Sequence, residues 1–194
     1  RNGYDVVVAS APAGSGDVHQ RVTHVRGEAR LGGVGDDVRD LAALRARITQ
    51  PAPATSDQDR HVAFGPRWQC IEKVVTGAGE ALADLVLPAS FAADLDAHAV
   101  HAAMLDMAFG SGIRLLSGGA ADALFVPVGC DEIVVSGRMP ARVVAHVRVK
   151  SHDQHARLGA LDVTLTTPSG IVLLELRGLQ LFGVRGGFAR GADA

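Results

Sequence analysis

The sequence predicts an α+β fold in which one buried helix is wrapped by a curved antiparallel sheet. A single long segment, from Ala97 to Leu116, is apolar or small around most of its circumference, which marks a helix with no solvated side. Later segments alternate apolar and polar residues with period two, as strands do when one face meets a core. Strand following strand after one buried helix is the order of elements that favours this α+β arrangement.

Tyr4 to Ala9 reads as a strand and Val18 to Leu31 as a second, separated by the turn-forming Pro12-Ala13-Gly14-Ser15-Gly16. Asp37 opens a short helical stretch in which Val38, Leu41, Leu44 and Ile48 recur at helical spacing, and Gln50-Pro51-Ala52-Pro53-Ala54-Thr55-Ser56 reads as a linker. In Phe64-Gly65-Pro66-Arg67-Trp68 the proline suits the first position of a short helix, where its missing amide proton costs nothing. Strands follow at Ile71–Thr76 and Ala81–Leu87, then the helix.

Beyond it, Val143, Ala145, Val147 and Val149 alternate with Arg142, His146, Arg148 and Lys150, predicting a strand with one solvated face. Leu161, Val163 and Leu165 repeat the pattern, and Thr167-Pro168-Ser169-Gly170 turns the chain into a last strand, Ile171–Phe182. These elements divide the chain into a strand remnant at 1–31, a linker with a short helix at 32–59, the main domain at 60–185 and a tail at 186–194.

Bulk properties exclude several classes of function. With 21% charged residues and a net charge of −2 there is no basic surface for nucleic acid and no acidic tail. No run of about 20 apolar residues exists to span a bilayer. Two cysteines, Cys70 and Cys130, make neither a disulfide framework nor a metal set and suit a reducing cytoplasm. His98 and His101 lie three apart, near Asp94 and Asp96, but lack a further ligand at firm spacing, so no metal is expected. The Gly14-Ser15-Gly16 and Gly77-Ala78-Gly79 stretches lack the rest of a dinucleotide fingerprint, and Gly110-Ser111-Gly112 is not a nucleophile elbow.

One residue conflicts with its surroundings. On the predicted helix, Asp106 has Ala102, Ala103, Phe109 and Gly110 three and four positions away, none of which can pair with a carboxylate. A buried, unpaired carboxyl raises its pKa and keeps its proton, and so becomes a proton donor. The alternative is a structural Asp106 that faces a polar edge or is held by backbone amides.

The segment His101-Ala102-Ala103-Met104-Leu105-Asp106 resembles the His-Pro-x-x-Leu-Asp segment on the central helix of the second hotdog fold of polyketide synthase dehydratases. Phe64-Gly65-Pro66-Arg67-Trp68 is similar to that family's Tyr-Gly-Pro-x-Phe turn. Leu124-Phe125-Val126-Pro127-Val128 stands where the family has Leu-Pro-Phe-x-Trp, followed by Ser136-Gly137 and Leu176-Arg177-Gly178-Leu179. Tyr4–Ser10 and Thr23-His24-Val25-Arg26-Gly27 resemble the closing strands of the first hotdog.

The resemblance implies a C-terminal hotdog whose substrate is a β-hydroxyacyl thioester on the phosphopantetheine of an acyl carrier protein, with no cofactor of its own. Asp106 would protonate the departing hydroxyl, and Phe64, Gly65, Pro66, His101, Gly110, Val126 and Pro127 would bind the substrate. The implied partners are the carrier protein, the N-terminal hotdog half and a second copy in a homodimeric synthase. The family's base is the His of His-x-x-x-Gly-x-x-x-x-Pro, and no histidine here begins that complete motif, so the base is expected outside this chain. Four residues after its Asp the family has Gln or His, and this chain has Gly110. A dehydratase-like cyclase or double-bond isomerase, and an inactive scaffolding hotdog, are the competing readings.

Overall fold

The computed structural model describes residues 3–11, 21–32, 35, 37–54, 62–117, 123–153 and 155–185. The Pro12 to Gly16 turn, the start of the second strand, residues 33, 34, 36 and 55–59 of the expected linker and the tail lie outside them. The chain forms two compact units, Arg1–Gly35 and Asp36–Ala194.

The first unit contains β1 (Gly3–Ser10) and β2 (Val22–Arg30), paired antiparallel from Gly3 opposite Arg30 to Ser10 opposite Val22. Both strands are exposed along their full length, including Val7, Val22 and Val25. An isolated two-stranded hairpin has no interior to fill and is marginal on its own.

The second unit is an antiparallel sheet with helices on both faces. Its strands are β3 (Gln50–Ala52), β4 (Ile71–Gly77), β5 (Glu80–Val86), β6 (Ala123–Gly129), β7 (Glu132–Val135), β8 (Arg142–Asp153), β9 (Leu158–Thr166) and β10 (Val172–Arg185). They run in the order β3-β4-β5-β8-β9-β10-β6, with β7 also pairing β10. At the β9–β10 turn Gly170 has φ of 95°, and an added Cβ would lie 2.3 Å from the Arg39 carbonyl oxygen, so this position admits only glycine.

Against one face lies the central helix, α3 (Ala102–Ser117), which contacts β5, β8 and β9. Met104, Met107, Ala108, Ile113 and Leu116 pack with Ala83, Leu85, Val143, Ala145, Val147, Leu161, Val163 and Leu165 in one core. The strand residues are alternate ones, so the predicted period-two face and the all-apolar helix meet as expected. The helix starts later than the periodicity suggests. A separate turn of helix, α2 (Asp94–Ala97), ends at the extended His98, and the His101 carbonyl accepts the first bond of α3 from the Leu105 N–H. His98 and His101 therefore do not share a helix face.

From Asp36 onward the expected linker belongs to this unit. A short helix, α1 (Leu41–Arg47), is capped by the Asp40 carboxylate, which accepts from the Ala43 N–H. Leu44 and Ile48, 6% and 2% exposed, pack with Val75, Leu82 and Val144, which are the opposite-parity residues of β4, β5 and β8. Burying side chains of this size contributes about 1.5–3 kcal/mol each. Arg45 pairs with Asp84 and Arg47 with Glu80, fixing where α1 sits. Pro51, which suggested a linker, occupies the edge strand β3, where a missing N–H leaves no ladder bond broken. The same packing corrects the reading of β8: its outer face is covered at Val144 and His146 rather than solvated.

Among the described residues no helix is long and apolar enough to cross a membrane.

Candidate active site

The unit's candidate site is a cavity of about 270 Å³ beside the first half of α3. From α3 it is lined by Asp106, Met107, Phe109, Gly110 and Ile113. Leu124 to Pro127 of β6 and Val62 with Phe64 close it. Asp106 is the one ionisable group among these residues.

Each wall follows from local sequence. The chain turns at Gly65 into a short 3-10 helix, Pro66–Trp68, whose Trp68 N–H donates to the Gly65 carbonyl at 3.0 Å. That turn presents Phe64 to the cavity and packs against α3. β6 is an edge strand, which tolerates Pro127, and a register shift opposite Gln180 and Leu181 of β10 accompanies it. Gly110 has no side chain and leaves room next to Asp106.

Asp106 is half-buried, and burial pushes its carboxyl above the usual aspartate range. The partner that helix spacing could not supply comes from the turn: the Trp68 indole Nε1–H donates to Asp106 Oδ2 at 2.7 Å. This bond favours the charged form and works against desolvation, which wins. Cys70, two residues beyond Trp68, is buried, and its thiol is pushed up to about 12, mainly by desolvation. It is a packing residue.

Of the residues proposed from sequence, Asp106, Phe64, Gly110, Val126 and Pro127 come together around the cavity. Gly65, Pro66 and His101 are not among its lining residues. Gly65 and Pro66 shape the turn behind it, while His101, 4% exposed, sets its Nε2 3.3 Å from Asp94 Oδ2. Asp94 Oδ2 also accepts from Arg67 Nε at 2.7 Å, and the Arg67 guanidinium stacks 4.4 Å over the Phe91 ring. Those hydrogen bonds, Arg67 foremost, hold the Asp94 carboxyl below its ordinary range.

Met107 and Phe109 read from sequence as core or acyl-tunnel lining, whereas Trp68, Ile113, Leu124, Phe125 and Val62 are not singled out there as site residues. Trp68 was the most findable, as the chain's sole tryptophan and a buried-tolerant N–H donor within a singled-out motif. The rest are apolar, and nothing in the sequence separates a cavity wall from a core.

A family model described as the polyketide synthase dehydratase N-terminal domain matches residues 36–186. The chain is 27% identical to polyketide synthase PksN of Bacillus subtilis (strain 168) over 170 residues, which is 83% of this chain and 3% of that synthase. It is 25% identical to PksM of the same organism over 124 residues, 61% of this chain and 3% of that one. Among solved structures, the dehydratase domain of a trans-AT polyketide synthase from Brevibacillus brevis superposes with a TM-score of 0.83 at 22% identity, over 94% of this chain and 66% of that chain. The dehydratase domain of RzxB from Pseudomonas fluorescens gives 0.76 at 21% identity, over 93% and 64%. These structures share the hotdog architecture described above. The chain spans just under two thirds of these solved domains and a few per cent of the curated synthases. By its fold and by the family match across 36–186, the chain belongs to the polyketide synthase dehydratase family.

Proposed function

We propose that this chain carries the proton-donating half of a dehydratase that converts β-hydroxyacyl thioesters, held on the phosphopantetheine of an acyl carrier protein, into trans enoyl thioesters. The observation that carries the reading is a carboxyl of raised pKa, Asp106, as the one ionisable group among the described residues lining the cavity, the rest of which are apolar or glycine.

Dehydration breaks a weakly acidic Cα–H bond and a Cβ–O bond to a poor leaving group. A base takes the α proton, the electron pair becomes the new double bond, and an acid protonates the departing hydroxyl, which leaves as water. Asp106 supplies that acid. The base is a histidine outside residues 60–185, on the other hotdog, whose closing strands are β1 and β2. Support for a two-group mechanism comes from the CurK dehydratase, for which inactive Asp-to-Asn and His-to-Phe mutants have both been solved. The matching family description speaks of an N-terminal domain. Asp106 on the central helix is what supports placing residues 60–185 in the C-terminal, acid-bearing half.

Phe64, Gly110, Val126 and Pro127 contact the acyl chain; Gly65 and Pro66 act through the turn and His101 through Asp94. The parent synthase is a cytoplasmic homodimer, and neither nucleic acid nor membrane is a partner.

The test is Asp106→Asn in the domain completed by its base, offered a carrier-bound β-hydroxyacyl thioester and followed by mass. Loss of water in the parent and none in the variant is the expected result. Near-normal turnover in the variant removes Asp106 from the mechanism. A parent product of unchanged mass favours an isomerase or cyclase, and a parent that neither turns over nor binds the carrier favours a scaffolding hotdog.

A further inference from the structure

We infer that Trp68 is the positioning residue for Asp106, its indole N–H holding Oδ2 so that Oδ1 is the oxygen that carries the transferable proton. This inference rests on the role proposed for Asp106.

The geometry supports it from both ends of the bond. Asp106 has its described hydrogen bond with Trp68 alone, at 2.7 Å, and Gly110, one helical turn on, has no side chain with which to reach it. A protonated carboxyl has one hydroxyl oxygen and one carbonyl oxygen, and the carbonyl oxygen is the better acceptor. An N–H fixed on Oδ2 therefore assigns the proton to Oδ1. Without that bond the carboxyl can rotate about its Cβ–Cγ axis, and the two oxygens become interchangeable.

Both Trp68 and Asp106 are then tied to a single side chain. Asp94 Oδ2 accepts from Arg67, the residue before Trp68, and also meets the Nε2 of His101, whose carbonyl starts the helix bearing Asp106. Arg67 lies half-exposed, so this cross-tie contributes little stability. Its effect is geometric, because it couples the 3-10 turn to the first turn of α3 and fixes the span that the indole must bridge.

Trp68 is the chain's sole tryptophan, so it provides one unambiguous indole signal in the full chain. That ¹H–¹⁵N resonance should titrate with the ionisation of Asp106, and the titration should vanish in Asp106→Asn. In the completed domain, Trp68→Phe keeps the ring and removes the donor, and kcat should fall on the order of 10–100-fold with KM nearly unchanged. Since the indole favours the carboxylate, its removal also moves the alkaline fall-off of kcat to higher pH, which a merely structural loss would not do.

An indole resonance that titrates alike in the parent and in Asp106→Asn overturns the inference. So does a Trp68→Phe domain with unaltered kcat and pH profile while Asp106→Asn is inactive, and the role of Asp106 then stands. Turnover retained in Asp106→Asn instead defeats the proposed acid itself, and the positioning role goes with it.

Discussion

Gly112 on the central helix lies so close to Val147 on β8 that an added Cβ would stand 2.3 Å from the valine Cγ1 and 3.1 Å from its Cβ. The valine atom that would be struck is a short, branched one in a strand, fully buried, and has nowhere to go. This contact lets α3, the helix that carries Asp106, lie close against β8.

Gly112→Ala should therefore destabilise the fold even though alanine is the better helix former. Propensity alone favours alanine by about 1 kcal/mol, whereas overpacking a filled core costs about 1–3 kcal/mol. A lower urea midpoint with an unchanged slope is the expected result, and a stabilised variant would show that the helix can shift outward freely.

Asp106→Asn should make the fold more stable at neutral pH while abolishing the proposed chemistry. A folded-state pKa raised above the unfolded one means that ionising Asp106 costs stability as pH climbs through the unfolded value and then the folded one. Below the unfolded value both states are protonated and this cost is absent. The gain from asparagine is thus greatest at neutral and alkaline pH and shrinks in acid. Paired denaturation of parent and variant across that range measures it, and a difference independent of pH would contradict a raised pKa.

Much of this was legible in the sequence because it depends on periodicity. The core strands, the all-apolar helix and Asp106 within it follow from which residues recur every two or every 3.6 positions. Misreadings arose where tertiary contacts reuse a local signal. Pro51 and Pro53 resemble a tether, yet Pro51 is an edge-strand residue, and seven residues of α1 carry too little pattern to reveal that Leu44 and Ile48 cover the sheet. The helical spacing of Leu41, Leu44 and Ile48 is visible, but not the surface they cover, so the outer face of β8 reads as solvated. Trp68 was missed as Asp106's partner for a similar reason: the two are 38 positions apart, beyond any helical spacing rule.

The outer core is directly testable. Leu44→Ala should cost about 2–3 kcal/mol, within the range for truncating a buried leucine. Exposed Ala42 offers a control, where a change to serine should be nearly silent. A chain begun at Arg60, lacking α1 and β3, should lose more than either. Equal stability of Leu44→Ala and parent in urea would mean that α1 is not held against the sheet.

Beneath α1, His146 of β8 meets Glu80 of β5 at 3.0 Å, and Glu80 also accepts from Arg47 of α1 at 2.7 Å. Burial lowers the His146 pKa; Glu80 opposes this, while Arg148 and Arg47 add to it. With the imidazole neutral, the hydrogen bonds and the Arg47 charge are what keep Glu80 ionised against its own burial. A histidine depressed in the folded state is protonated more readily once unfolded, so its contribution is fully present above the unfolded value of 6.5 and declines as pH falls through it toward the folded value. His146→Gln keeps an amide donor for Glu80 but cannot titrate. Between about pH 8 and about pH 5, the parent's urea midpoint should therefore fall further than the variant's. Asp106 acts in the opposite direction but is common to both chains, so it cancels in the comparison. Equal falls would mean that His146 takes up its proton without leaving the folded state, with Glu80 compensating in full.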